Sequence, residues 1–220
     1  MHGWLAYIPL MLEGALVTAQ LTIYSCAVAL VFAFVAGLGR VSRYRAIRIV
    51  ATTYVEFFRG TSVFVQLFFA YFVLPLFGLT LTPMQAGVAA LSLNLGAYGA
   101  EVVRGAIRSV GRDQYEACRA LNLTRWQSLR HVIVPQAFVL MLPVFGNNAV
   151  ELLKGTAAVS LISLADLTFQ AQVVRAQTGS ALMPLLFILA VYYAMSSVIL
   201  AFVRRLERRL TRGLDRVAAP

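Results

Sequence analysis

The chain has 220 residues, of which 60% are hydrophobic and 13% charged, with a mean hydropathy of +0.77 and a formal net charge of +10. That is more apolar surface than a soluble domain of this length can bury, which excludes a water-soluble protein and predicts an all-α, polytopic membrane helix bundle in one domain over residues 1–220. The basic excess would suit nucleic acid in a soluble protein, but here the arginines gather in loops between alternate apolar segments, so the charge reports topology and excludes nucleic acid as a partner.

A spanning helix needs roughly 20 mostly apolar residues at about 1.5 Å rise each. In chain order, Gly14–Gly39, Val63–Leu79 with a polar upstream extension, Met84–Val103 and Leu182–Val203 approach that length. Gln136–Leu153 is a weaker fifth span, interrupted by Pro143, Gly146, Asn147 and Asn148. All but three of the nineteen basic residues follow the first span (Arg40, Arg43, Arg45, Arg48), the third (Arg104, Arg108, Arg112, Arg119, Arg125, Arg130) or the last (Arg204, Arg205, Arg208, Arg209, Arg212, Arg216). By the positive-inside rule these lie in the cytoplasm, which puts the N-terminus outside and the C-terminus inside. Met1–Glu13 carries no basic region ahead of its apolar stretch, so the first span is expected to serve as the insertion signal. An odd number of spans leaves no inverted repeat within one chain, and any pseudo-symmetry must come from a second subunit.

Between the third and fourth spans lies a polar, basic insert, about residues 108–135. Gln114–Leu121 is rich in helix formers, Asn122 suits the left-handed turn that ends a helix, and Thr124 with Gln127 forms a capping box for a second short helix. Pro135 is expected to break or kink that second helix. Two helices joined at Asn122–Leu123 would present Glu116, Arg119, Leu121 and Leu123 to a groove in a soluble partner. The other reading of the same residues is an amphipathic segment in the lipid headgroups, anchored by Trp126. Cys26 lies in the first span and Cys118 in a cytoplasmic loop, so no disulfide between them is expected and both read as packing residues. His2 and His131 have no neighbours at ligand spacing, so no metal site is expected, and the absence of GxxxxGK[ST] puts any nucleotide chemistry on another chain.

At these residues the chain resembles the permease subunits of type I ABC importers, in the polar amino acid uptake branch. Their cytoplasmic EAA loop is matched by Glu116-Ala117-Cys118, Asn122 in place of glycine, and Ile133-Val134-Pro135. Glu56-Phe57-Phe58-Arg59-Gly60-Thr61 with Gln66, Gly96-Ala97-Tyr98 with Glu101 and Arg104, and Glu151-Leu152-Leu153-Lys154-Gly155-Thr156 resemble further motifs of that branch in the same order. The resemblance implies an ABC importer transmembrane domain in the bacterial inner membrane. It also implies a second permease subunit, identical or paralogous, two cytoplasmic ATPase subunits and an extracytoplasmic solute-binding protein. ATPase docking would fall on Glu116, Ala117, Arg119, Ala120, Asn122 and Leu123. The chain itself would have no catalytic residue and no cofactor, ATP-Mg being bound by the partner ATPase.

Ionisable and amide side chains at membrane depth are the candidates for a solute path. Glu151 and Lys154 stand three apart on one helical face and offer an anionic and a cationic contact to a zwitterion, or else neutralise each other. Gln66, Asn94 and Tyr98 either line the path or bond a neighbouring helix. Glu56/Arg59 and Glu101/Arg104 repeat the spacing near the cytoplasmic ends of their spans and read as ion pairs bracing a gate. Gly96, Gly99 and Ala100 read as sites of close helix packing.

Lys154–Ala158 and Leu164–Gln172 most resemble permeases for ectoine and hydroxyectoine. Histidine, arginine, glutamine or opine uptake is the other substrate reading. A non-transport scaffold subunit and a proton-coupled secondary transporter using Glu101 or Glu151 are the alternatives from other classes.

Overall fold

A computed structural model describes the backbone of residues 5–218 and the side chains of residues 6–210; His2 and the side chains of Arg212 and Arg216 lie outside the described residues. The described chain is helical, without a strand. Four helical stretches are long and apolar enough to cross a membrane, and a bent pair makes five if it counts as one span.

Helix α1 (Ile8–Arg40) packs along α4 (Pro83–Ser109) through a seam of small residues. Thr18, Ser25, Ala29, Ala33 and Ala36 of α1 are buried, as are Ala86, Ala90, Ala97 and Ala100 of α4. Because lipid tails are as apolar as leucine, spans associate by close backbone approach rather than by the hydrophobic effect, and small residues permit it. A Cβ at Gly99 would lie 2.6 Å from the Ala33 Cβ, and one at Gly96 would lie 2.7 Å from the Phe32 Cβ. The packing role read for these glycines in the sequence is therefore what the structure shows. Helix α4 opens with a complete capping box between Thr82 and Gln85, with Pro83 in its first turn.

The second crossing departs from the expected single span. Its polar extension is a separate helix, α2 (Arg45–Gly60), and the apolar part, α3 (Val63–Phe68), continues through a π turn (Phe69–Val73) and a 3-10 turn (Leu74–Phe77). The two arms meet at 101°. Thr61 and Ser62 are extended there, which frees the last carbonyls of α2, and side chains take them up. The Thr61 hydroxyl donates to the Phe57 carbonyl at 2.9 Å, and the Gln66 amide donates to the carbonyls of Phe58 at 3.0 Å and Thr61 at 3.2 Å. From α4 the Asn94 amide also reaches the Phe58 carbonyl, at 2.9 Å. Irregular backbone at membrane depth survives only where such partners exist.

The cytoplasmic insert forms α5 (Arg112–Ala120) and α6 (Arg125–Ser128). A π turn (Leu129–Ile133) then leads directly into α7 (Val134–Gly155). Of the break or kink expected at Pro135, a break does not occur, and the irregularity is a π turn just before it. Pro135 sits in the first turn of α7, while the Val134 N–H bonds the Leu129 carbonyl in the wider π pattern, so the missing N–H is absorbed without ending the helix. Pro143 likewise lies inside an unbroken α7.

On the opposite side, α7 runs into a 3-10 turn (Thr156–Ile162) that ends with Ser163 in the left-handed region at φ 61°. Next come α8 (Leu167–Thr178), an element not anticipated from the sequence, and α9 (Leu182–Ala218). Asp166 caps α8 by accepting the backbone N–H groups of Thr168 and Phe169, and the Leu167 N–H donates to the Thr18 hydroxyl of α1 at 3.1 Å. Met11, Leu167, Ala171 and Val174 form a small core there, with Phe187 and Ile188 of α9 packed against it.

Candidate functional site

Three groups of polar side chains stand out against the apolar bundle. The first is the cytoplasmic insert. Asn122 adopts φ 52°, the Leu123 N–H bonds the Cys118 carbonyl at 3.0 Å, and the Asn122 N–H bonds the Arg119 carbonyl at 2.9 Å. These two bonds are the paired closure that ends a helix on a left-handed residue, and asparagine tolerates that conformation next best after glycine. Thr124 and Gln127 complete both halves of the capping box. Both features were legible in the sequence because they depend on residues no more than five apart. Tyr115 donates to the Ile107 carbonyl at 3.1 Å, Gln136 bonds Gln114 at 3.0 Å, and Cys118 is buried, so the insert is held against α4 and α7. Glu116, Ala117, Arg119, Ala120 and Asn122 face outward and Leu123 is half-buried. Leu121 and Trp126 are 73% and 64% exposed, giving the basic surface two apolar contacts.

The second group is an ion cluster where α1, α2 and α4 converge. The spacing of Glu56/Arg59 and Glu101/Arg104 predicts two separate pairs; the structure instead centres everything on Glu101. Arg104 forks onto one carboxylate oxygen with bonds of 2.9 and 2.7 Å, Arg59 approaches the other oxygen at 3.3 Å, and Arg40 bonds that same oxygen. Arg40 also reaches Glu56 at 3.6 Å, and no Glu56–Arg59 pair forms among the described residues. Arg59 additionally lies 5.2 Å from the centre of the Tyr98 ring. Arg40 is the member missed by sequence reasoning, which counted it among the loop arginines that report topology. Its position as the last residue of an unusually long α1 places it at Glu101.

The third group runs from mid-depth into the outer half of the bundle. Glu151 and Lys154 are exposed on α7 and form no ion pair with each other or with any described residue. Nearby layers are otherwise apolar, with Leu152 and Leu153 buried between them in sequence. Gln66 and Asn94 converge on the Phe58 carbonyl at the α2–α3 corner, and the carbonyl oxygen of the Gln66 amide is buried without a partner. Asn94 lies about 17 Å along α4 from its outer end, close to the bilayer midplane. The corner is thus a break in the helical backbone at mid-depth whose freed carbonyls are met by side chains. Among the described residues no group of histidine, cysteine and carboxylate side chains is arranged to hold a metal ion.

Comparison with known proteins identifies the family and the fold. The model for the family "binding-protein-dependent transport system inner membrane component" matches residues 29–212. A probable amino-acid ABC transporter permease of Sinorhizobium fredii is 44% identical over 215 residues, covering 95% of this chain and 90% of the relative. The glutamine transport system permease protein of Escherichia coli K12 is 38% identical over 206 residues, covering 92% of this chain and 94% of its own. Among solved structures, that of an amino acid ABC transporter with histidines superposes with a TM-score of 0.86 at 36% identity, covering 93% of this chain and 96% of its own.

Proposed function

Because this chain belongs to the family of binding-protein-dependent transport system inner membrane components and is an amino-acid ABC permease by its relatives, we propose that it forms half of an import path for a zwitterionic polar amino acid. Its second half is another permease subunit. Two ATPase subunits bind ATP-Mg and grip the exposed face of α5 and the turn at Asn122, and a solute-binding protein delivers substrate from outside. Closure of the ATPases would rock the spans between inward- and outward-facing states, with the chain acting as lever and conduit.

The observation that carries the reading is the pair Glu151 and Lys154, opposite charges three residues apart on an apolar span, both exposed and both unpaired within the chain. An ionised group at membrane depth is retained where it meets water, a partner or a ligand. A lysine for the carboxylate and a glutamate for the ammonium is the complement of an amino acid.

Lys154→Met is expected to abolish uptake by the complete importer in vesicles, and Glu151→Gln/Lys154→Met is expected to stay inactive. Recovery in the double mutant would show that the two residues only neutralise each other and would remove the binding role. The same assay, run with L-glutamine, L-histidine, L-cystine and ectoine, separates the polar amino acid reading from the ectoine reading suggested by Lys154–Ala158 and Leu164–Gln172. Uptake that follows ATP rather than the proton gradient separates both from secondary transport.

A further inference from the structure

Of the basic residues outside the cytoplasmic clusters, Arg59 is held by Glu101 and Lys154 belongs to the pair on α7. The third, Arg175, has no role in anything described so far. It lies in the last turn of α8, on the outer side of the bundle, exposed and without an ion pair among the described residues. A groove of about 770 Å³ opens beside it between α8 and the first turns of α9. Thr168, Gln172 and Arg175 supply its polar wall, and Ala181, Leu185 and Ile188 its apolar wall. The volume falls in the roughly 300–1,000 Å³ range of small-molecule sites. No carboxylate lines it, so nothing in the groove competes for the guanidinium.

The α8 wall is also fixed in place. Asp166 caps its start, the Leu167 N–H is tied to Thr18, and Leu167, Ala171 and Val174 are buried on its other face. The Thr168 hydroxyl lies 3.3 Å from the Tyr192 hydroxyl of α9, which holds the two walls together. Such a rigid, one-sidedly cationic groove suits a small molecule with a carboxylate at one end and a mixed or apolar remainder.

We infer that this groove is an outer subsite of the permease in which Arg175 binds the α-carboxylate of the incoming amino acid, with Gln172 and Thr168 as neutral polar neighbours and Leu185 and Ile188 against the side chain. A guanidinium presents a planar fork of donors that matches a carboxylate, which a lone ammonium does not. The inference rests on the import reading above. A cation in the last turn of a helix also complements the helix dipole, so the test needs a readout that a purely structural arginine would not move.

Binding of L-glutamine, L-cystine and L-histidine to the detergent-solubilised importer, without its binding protein, is to be compared with binding of the corresponding α-carboxamides. Arg175→Gln is expected to weaken binding of the imported amino acid about tenfold or more, the usual loss for a hydrogen bond to a charged group. The carboxamide is expected to bind equally to wild type and variant, and Arg175→Lys to recover part of the difference. Unchanged amino acid binding in Arg175→Gln, with uptake by wild type intact, would overturn the subsite and leave the import reading standing. Weakened attachment of the solute-binding protein with solute binding unchanged would overturn it in favour of a docking contact. A wild-type importer that neither binds nor imports any of the three would remove both.

Discussion

The charges at the two ends of this bundle are organised in opposite ways. At the cytoplasmic end Glu101 gathers Arg40, Arg59 and Arg104 from three helices, and its side chain is only 22% exposed. Toward the outside, Glu151, Lys154 and Arg175 stand exposed and pair with nothing in the described chain. A closed cluster is part of the architecture, because breaking it strands charges that the fold has already desolvated. An open charge costs the fold no such partner when it is removed. Both ends contain ionisable groups three apart on a helix, so spacing alone did not separate the two uses; what separates them is which neighbouring helix comes within reach.

That contrast is broken most severely by Glu101→Gln, which leaves three arginines around a neutral amide. The expected destabilisation is about 2 kcal/mol, below the roughly 3–5 kcal/mol for a fully buried pair because the cluster is partly exposed, and it is read as a fall of several degrees in the apparent Tm in detergent. Glu56→Gln is the internal control: its side chain is 64% exposed with one contact at 3.6 Å, and it is expected to change stability by less than about 0.5 kcal/mol. Equal effects of the two substitutions would show that Glu101 is not the centre of the cluster.

A comparable effect comes from Asp166, which is closed in a different sense. It is fully buried and faces backbone N–H groups rather than a cation. Burial pushes its carboxyl up to about 6 from the usual 3.8, against the pull of the bonds from Phe169 and Thr168. The folded chain therefore holds this proton more tightly than the unfolded chain, and stability contributed here is full below about 4 and declines as the pH rises toward 6. Between about pH 4.5 and 7.5 the decline amounts to about 2 kcal/mol. Asp166→Asn retains a capping oxygen and is expected to flatten that part of the profile. An identical pH dependence of Tm in wild type and Asp166→Asn would count against a buried, proton-holding carboxyl.

The smallest effect on the fold is expected from Glu116→Lys, on the open cytoplasmic face. Its stability is predicted to stay within about 0.5 kcal/mol of wild type, while ATPase co-purification and coupled uptake are lost. Wild-type attachment of the ATPases in this variant would remove the docking assignment from α5.

What the sequence made legible follows the range of the interactions involved. The left-handed Asn122 and the Thr124–Gln127 box rest on neighbours, and α1, α4 and α9 rest on long apolar runs, so all were readable in one dimension. The bend after Gly60 was not, because Asn94, more than thirty residues away, supplies one of the bonds that make it tolerable. Nor was the place of Arg40, since the positive-inside rule already accounts for an arginine at the end of a span. Helix α8 was hidden by its modest amphipathicity, although Asp166 followed by an apolar run carries the signal of a helix start.

The π turn at Leu129–Ile133 acts as a phase shift along one continuous rod. Each residue of an α-helix advances the azimuth by about 100°, and a single π turn inserts roughly one residue beyond the α count. The faces of α6 and α7 are thereby offset, so the direction in which Glu151 and Lys154 point is indexed to the orientation of the docking turn some thirty residues earlier. A twist applied at the cytoplasmic end of that rod would reach the two charges as a change of bearing rather than a change of depth.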